Sequence, residues 1–142
     1  MPKTYIITLD GPAGVGKSSL AQKVAEAFHL PYLDSGAMIR IIAHTLGKDG
    51  LEMNEGQLKS ELEAFHFSVI GAGANSQMCN DEKPGGPEIR NEEVAKLASQ
   101  YATLPVVREY LRNAQRRLGE KISLVWEGRD MGTDVFPHAI CK

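Results

Sequence analysis

The sequence predicts an α/β fold: a parallel sheet flanked by helices, interrupted by a small β-rich insert. Three observations carry that prediction. Short apolar, β-branched runs recur at Tyr5–Leu9, Pro31–Leu33 and Ile122–Trp126, the pattern of strands buried on both faces. Amphipathic segments of helical period separate them, and strands alternating with helices build parallel sheets. Between about residues 61 and 90 the pattern changes to alternation and turns. Phe65, Phe67 and Val69 alternate with other residues, and Gly71, Gly73, Pro84, Gly85, Gly86 and Pro87 punctuate the rest of the insert.

The elements come in this order. After the first strand, Gly11 to Gly16 holds three glycines and a proline and reads as a turn. From Lys17 a helix is expected with Leu20, Val24, Ala27 and Phe28 on its apolar face. Pro31–Leu33 is the second strand. Asp34-Ser35-Gly36 opens a helix with Ile39, Ile42, Ala43 and Leu46 on one side and Gly47 at its end, followed by a polar linker. Glu55 to Ala64 reads as helix. Asn91 is placed to cap a helix running to Tyr101, with Glu92 and Glu93 favourable against its dipole. Pro105 suits the first turn of a helix to about Leu118, and Ile122–Trp126 is the third strand. The chain of 142 residues suits one domain, with a core of 1–60 and 91–142 around the insert.

A net charge of −2 gives no global pull toward nucleic acid or an anionic membrane. The apolar run ending at Leu9 is shorter than the ~7–15 residues of a signal-peptide core, and no run reaches membrane-spanning length. Cys79 and Cys141 match no metal or redox spacing, and His29, His44, His66 and His138 stand in no ligand-like spacing. A reduced, cytoplasmic protein is expected.

Gly11-Pro12-Ala13-Gly14-Val15-Gly16-Lys17-Ser18 matches G-x-x-x-x-G-K-[ST] in full, after a strand and before a helix. Glycines let the backbone curl its N–H groups toward a polyphosphate, and the helix dipole adds to the attraction. Lys17 is expected to bridge the β- and γ-phosphates of ATP, with Ser18 offering its hydroxyl to Mg2+ and Ser19 completing the nucleotide-binding segment 11–19. Glu127, after the third strand, suits the acidic residue that holds the metal through water; Asp10 is a weaker candidate. This is a P-loop, and it leaves the acceptor open.

Further segments narrow the acceptor. Asp34-Ser35-Gly36-Ala37-Met38-Ile39-Arg40 follows the second strand and Gly128-Arg129-Asp130-Met131-Gly132-Thr133 the third, where open α/β sheets place ligands. Glu88-Ile89-Arg90, Ala98-Ser99-Gln100 and Val107-Arg108-Glu109 lie between them. In this order, the set resembles bacterial cytidylate kinase across essentially the whole chain. The resemblance implies a P-loop NTPase fold with a small monophosphate-binding sheet, and transfer of the γ-phosphoryl of ATP to CMP or dCMP. It implies Ser35, Arg40 and Arg129 around the monophosphate, and Ser99, Arg108 and Asp130 at the cytosine and its sugar. Lys17, Arg40 and Arg129 are then the catalytic set, and a monomer is expected for the full-length protein.

The chemistry of these residue types is consistent. A phosphate dianion suits forked arginine donors, and cytosine needs both an acceptor for its amine and donors for its carbonyl and ring nitrogen. Two plainer readings stay open: a P-loop kinase of another small acceptor, and a nucleotide-binding fragment without turnover. Arg108, Arg112 and Arg116 also read as a solvated stripe at four-residue spacing.

Three departures from the family pattern stand out. Ile39 occupies the place of a usual tyrosine. The prolines between Asn80 and Pro87 put the last strand of the small sheet in question. Family members continue past the equivalent of Phe136-Pro137-His138-Ala139 into a further strand, an arginine-rich lid and a terminal helix. Without these, the first strand is expected at an open edge and turnover is expected to be weak.

Overall fold

The computed structural model describes residues 6–10, 17–34, 36–73 and 75–128. It is α/β, with a parallel sheet flanked by helices. The chain divides into two compact units, one of residues 1–35, 69–77 and 115–142, the other of 36–68 and 78–114.

The first unit is built on three strands: β1 (Ile6–Asp10), β2 (Tyr32–Asp34) and β6 (Leu124–Gly128). Their order is β1-β6-β2, all parallel, with β6 paired to β1 from Ile6↔Leu124 to Asp10↔Gly128 and to β2 from Tyr32↔Val125 to Asp34↔Glu127. Leu124, Val125 and Trp126 are wholly buried, as a central strand covered on both faces requires. The strand begins two residues later than the sequence suggests, because the preceding helix, α5 (Pro105–Lys121), runs on and Ile122 N–H still donates to Leu118.

The helix after β1, α1 (Lys17–Phe28), packs on β6 through a different face from the one expected. Ala21 and Ala25 are buried with Ile7 and Val125, and Val24, Leu30 and Tyr32 pack around them. Leu20 and Phe28 are more than half exposed, and Ala27 is exposed. Both faces repeat at i, i+4, so periodicity alone does not choose between them. The small alanine side chains let the helix lie close against the strand. The helix ends in a Schellman motif closed by a histidine: Leu30 N–H donates to Ala25 O, His29 N–H donates to Glu26 O, and His29 adopts φ 55°. β2 is then anchored on its outer side. Gly73 N–H donates to Leu30 O, and Tyr32 N–H donates to the Ser76 hydroxyl at 2.7 Å, which itself donates to Gly73 O. Gly73 sits at φ 56°, a left-handed conformation that favours glycine, and a Cβ there would press the exposed Glu26 side chain aside.

The second unit is helical. In α2 (Gly36–Glu52), Ala37, Met38, Ile41, Ile42 and Ala43 are buried; α4 (Glu92–Tyr101) packs on this helix and buries Val94, Leu97, Ala98 and Tyr101. Gly47 does not end α2. It breaks the helix at φ 59°, ψ −152°, after which the helix resumes to Glu52. Asn91 caps α4 as expected, its Oδ1 accepting from Val94 N–H at 2.8 Å.

Between them, α3 (Glu55–Glu63) starts in a full capping box. Asn54 Oδ1 accepts from Gln57 N–H at 2.8 Å, and Gln57 Oε1 accepts from Asn54 N–H at 3.2 Å. Replacing Asn54 with alanine is expected to cost about 0.5–2 kcal/mol in a denaturant melt.

The small sheet forms in the order β3 (Phe67–Ile70), β4 (Gln77–Asn80), β5 (Lys83–Pro84). The prolines do not abolish its last strand. Pro84 pairs opposite Cys79 on the edge, where a missing N–H is tolerated. Asp81 and Glu82, both at positive φ, make the two-residue turn between β4 and β5. His66 steadies that turn. Its N–H donates to Asn80 Oδ1, its carbonyl accepts from Asp81 N–H, and its ring Nδ1 lies 3.0 Å from Asp81 Oδ1. Cys79 is fully buried, and desolvation raises its thiol pKa against the lowering effect of a hydrogen bond with Ser68.

Candidate functional site

The parallel register decides where the chemistry-bearing segments attach. Asp10 lies opposite Gly128, and Asp34 lies opposite Glu127, so all three strands finish at one edge of the sheet. Each of these ends leads in sequence into a motif segment: 11–16 after β1, Ser35 after β2, and Arg129 and Asp130 after β6. Gly11, Pro12, Ala13, Gly14, Val15, Gly16, Ser35, Arg129 and Asp130 lie outside the described residues. Lys17, Ser18 and Ser19 form the first turn of α1, the positive end of the helix dipole. Glu127 is the penultimate residue of the central strand, flanked in register by Leu9 and Asp34. Glu127 therefore lies at the end of the sheet from which the segment leading to α1 departs in sequence.

The remaining candidates belong to the second unit. Arg40 is in the second turn of α2, half-buried, with its Nε removed from solvent. Ser99 is exposed on α4, and its hydroxyl donates back to Ala95 O at 3.1 Å. That bond uses the serine's proton and leaves its oxygen lone pairs for a ligand. Arg108 is exposed in the first turn of α5, its N–H donating to Leu104 O. The arginine stripe is not uniformly solvated: Arg116 is exposed, but Arg112 is half-buried with its Nε away from solvent.

Glu88-Ile89-Arg90 has a local structural job. Ile89 is buried, and Gly85 is wedged between Ile89 and Ile41 so closely that a Cβ would come within 2.9 Å of Ile89 Cδ1. Glu88 Oε1 accepts from Gly86 N–H at 3.1 Å. Its own backbone N–H first, then that of Gly86, holds the carboxyl below the usual range, with His44 adding a smaller lowering effect. Asn91 Nδ2 donates to Glu88 O while its Oδ1 caps α4, so the motif sets where α4 begins.

Sequence reasoning missed one feature beside these residues. Tyr101, at the end of α4, is fully buried and donates its hydroxyl to Gly47 O at 2.6 Å, at the break in α2. Gly50 leaves the room: a Cβ there would collide with the Tyr101 hydroxyl. Desolvation first, and the Asp49 carboxylate second, raise the phenol pKa. Two glycines three apart in a helical run were the only sequence signal.

Among the described residues, no group of three or more His, Cys, Asp or Glu side chains is arranged to hold a metal ion, and no helix is long and apolar enough to cross a membrane.

Comparison with known proteins agrees with the resemblance in the motifs. The family model described as cytidylate kinase matches residues 7–142. The cytidylate kinase of Oleidesulfovibrio alaskensis is 50% identical over 142 residues, all of this chain and 65% of that protein. The cytidylate kinase of Nitratidesulfovibrio vulgaris (Hildenborough) is 54% identical over 135 residues, 94% of this chain and 58% of its own length. A bifunctional pantoate ligase/cytidylate kinase of Prochlorococcus marinus is 38% identical over 149 aligned residues, covering this whole chain and 28% of that protein. The chain thus spans less than two thirds of the length of these relatives. With a family model covering nearly every residue, and a parallel sheet whose strands lead in sequence into the motif segments, the chain belongs to the cytidylate kinase family.

Proposed function

We propose that the protein transfers the γ-phosphoryl group of ATP to CMP or dCMP, giving ADP and CDP or dCDP. The observation that carries this reading is the alignment of Asp10, Asp34 and Gly128 at one sheet edge, each leading into a motif segment. In this reading residues 11–19 bind ATP, with Lys17 on the β- and γ-phosphates. Ser35, Arg40 and Arg129 hold the acceptor phosphate; Ser99, Arg108 and Asp130 read the base and sugar. The chain acts as one P-loop kinase domain, with core 1–60 and 91–142 and the monophosphate-binding insert at about 61–90.

The donor set suits Mg2+. Ser18 opens α1, and Glu127 lies in the central strand at the edge where β1 and β2 end; both supply oxygen, the ligand atom this hard cation takes. When bound, the ion neutralises charge on the phosphates; Glu127 would hold it through water. The residues themselves position and polarise. Lys17 draws negative charge toward the donor side, and the arginines fix the acceptor oxygen in line without any covalent enzyme intermediate. A cytoplasmic protein, monomeric at full length and acting on small molecules rather than nucleic acid or membrane, completes the reading.

Calorimetric titration and a coupled ADP assay test it together. CMP and dCMP should bind and be phosphorylated well ahead of AMP, GMP and UMP, with Mg2+ required. Preference for AMP, or indifference to all monophosphates, overturns the reading. Arg40→Ala should weaken CMP binding about 10- to 100-fold, the worth of a hydrogen bond to a charged group, and leave ATP affinity within about twofold.

A further inference from the structure

The contact between Tyr101 and Gly47 ties together two helices that each carry a proposed acceptor residue. Arg40 precedes Gly47 by two turns of α2, roughly 10 Å along the axis, and Ser99 precedes Tyr101 by two residues on α4. Met38, Ile41 and Ile42 of α2 and Val94 and Leu97 of α4 are buried and hold the two helices together by non-directional apolar packing. A directional bond adds to that packing: the Tyr101 hydroxyl donates to the carbonyl of Gly47, where α2 breaks. Gly47 presents the acceptor, Gly50 vacates the space, and the phenol is buried, so the bond is partly withdrawn from water.

From this geometry we infer that Tyr101 is a positioning residue for the monophosphate: it sets the spacing between the arginine that grips the phosphate and the serine that reads the base. This rests on the roles proposed for Arg40 and Ser99. A nucleoside monophosphate spans both groups at once, so a register slip of α2 on α4 mismatches one end whenever the other is engaged. ATP, held by residues 11–19 in the other unit, does not depend on this register.

Tyr101→Phe deletes the hydroxyl and keeps the ring. Calorimetry on the protein should show CMP affinity falling about five- to tenfold, the worth of one neutral hydrogen bond. The preference for CMP over UMP should narrow, and ATP affinity should stay within about twofold. Gly50→Ala, whose Cβ would crowd the hydroxyl and also Leu46 Cβ, should give the same selective loss if it folds, and it serves as a second readout beside the phenylalanine variant. Thermal melts of both variants accompany the titrations.

Wild-type CMP affinity and discrimination in either folded variant overturns the inference, provided Arg40→Ala has lost CMP. An equal loss of CMP and ATP affinity also overturns it, because the bond then serves only stability. If Arg40→Ala itself binds CMP normally, the acceptor-site reading fails instead, whatever Tyr101 does.

Discussion

Replacing Lys17 with alanine should lower phosphoryl transfer by about 10²–10³-fold, the cost of deleting one preorganised donor aimed at developing charge. The expectation rests on where the fold puts this residue. Lys17 is the first residue of α1, directly after the glycine loop that leaves β1 at Asp10. Its ammonium is a compact point charge, suited to phosphate oxygens at the positive end of a helix dipole. Arginine keeps the charge but spreads it over a larger planar group, so Lys17→Arg should recover only part of the rate. The helix itself should survive either change, since α1 is held to β6 by Ala21 and Ala25 rather than by its first turn. A coupled ADP assay with a circular dichroism melt separates these effects. An unchanged rate in a folded Lys17→Ala variant means the loop does not hold the donor phosphates.

Trp126→Ala should be the most destabilising single truncation in the sheet, at about 3–5 kcal/mol. Among the described residues Trp126 heads the fully buried side chains by volume, and it lies at the middle of the central strand, between Thr8 of β1 and Leu33 of β2. Its neighbours in the strand, Leu124 and Val125, are also wholly buried, so the lining has little freedom to collapse into the space left behind. Domains of this size hold only about 5–15 kcal/mol of stability in all. A thermal melt should show Tm lower by roughly 6–20 °C. A loss below about 1 kcal/mol would mean the site repacks around the void.

The strands and helix starts were legible because local chemistry specifies them. Ile6-Ile7 and Leu124–Trp126 are β-branched or bulky apolar runs that suit only a doubly covered strand, and Asn91 and Pro105 mark helix starts by their own hydrogen-bonding limits. The α1 face was not legible. Leu20 and Phe28 repeat the spacing of Ala21 and Ala25, and only the closeness of β6 selects the alanines while Val24 packs beside them. The fate of Gly47 was not legible either. A glycine after an apolar helical run reads as a stop, but here the helix resumes because Tyr101, 54 residues away, takes up the carbonyl. The edge strand through Pro84 likewise depended on Cys79 and Asn80 being alongside.

The amino-acid sequence by itself determined the class of fold and the phosphate-binding chemistry, since glycine spacing, strand composition and capping residues act over a few positions and carry their meaning with them. Tertiary structure alone decided which face of α1 is buried, that α2 continues past its glycine, and that the strands pair in the order β1-β6-β2. Each of these depends on contacts between residues far apart in the chain, and local propensity holds no information about a partner that only folding brings near.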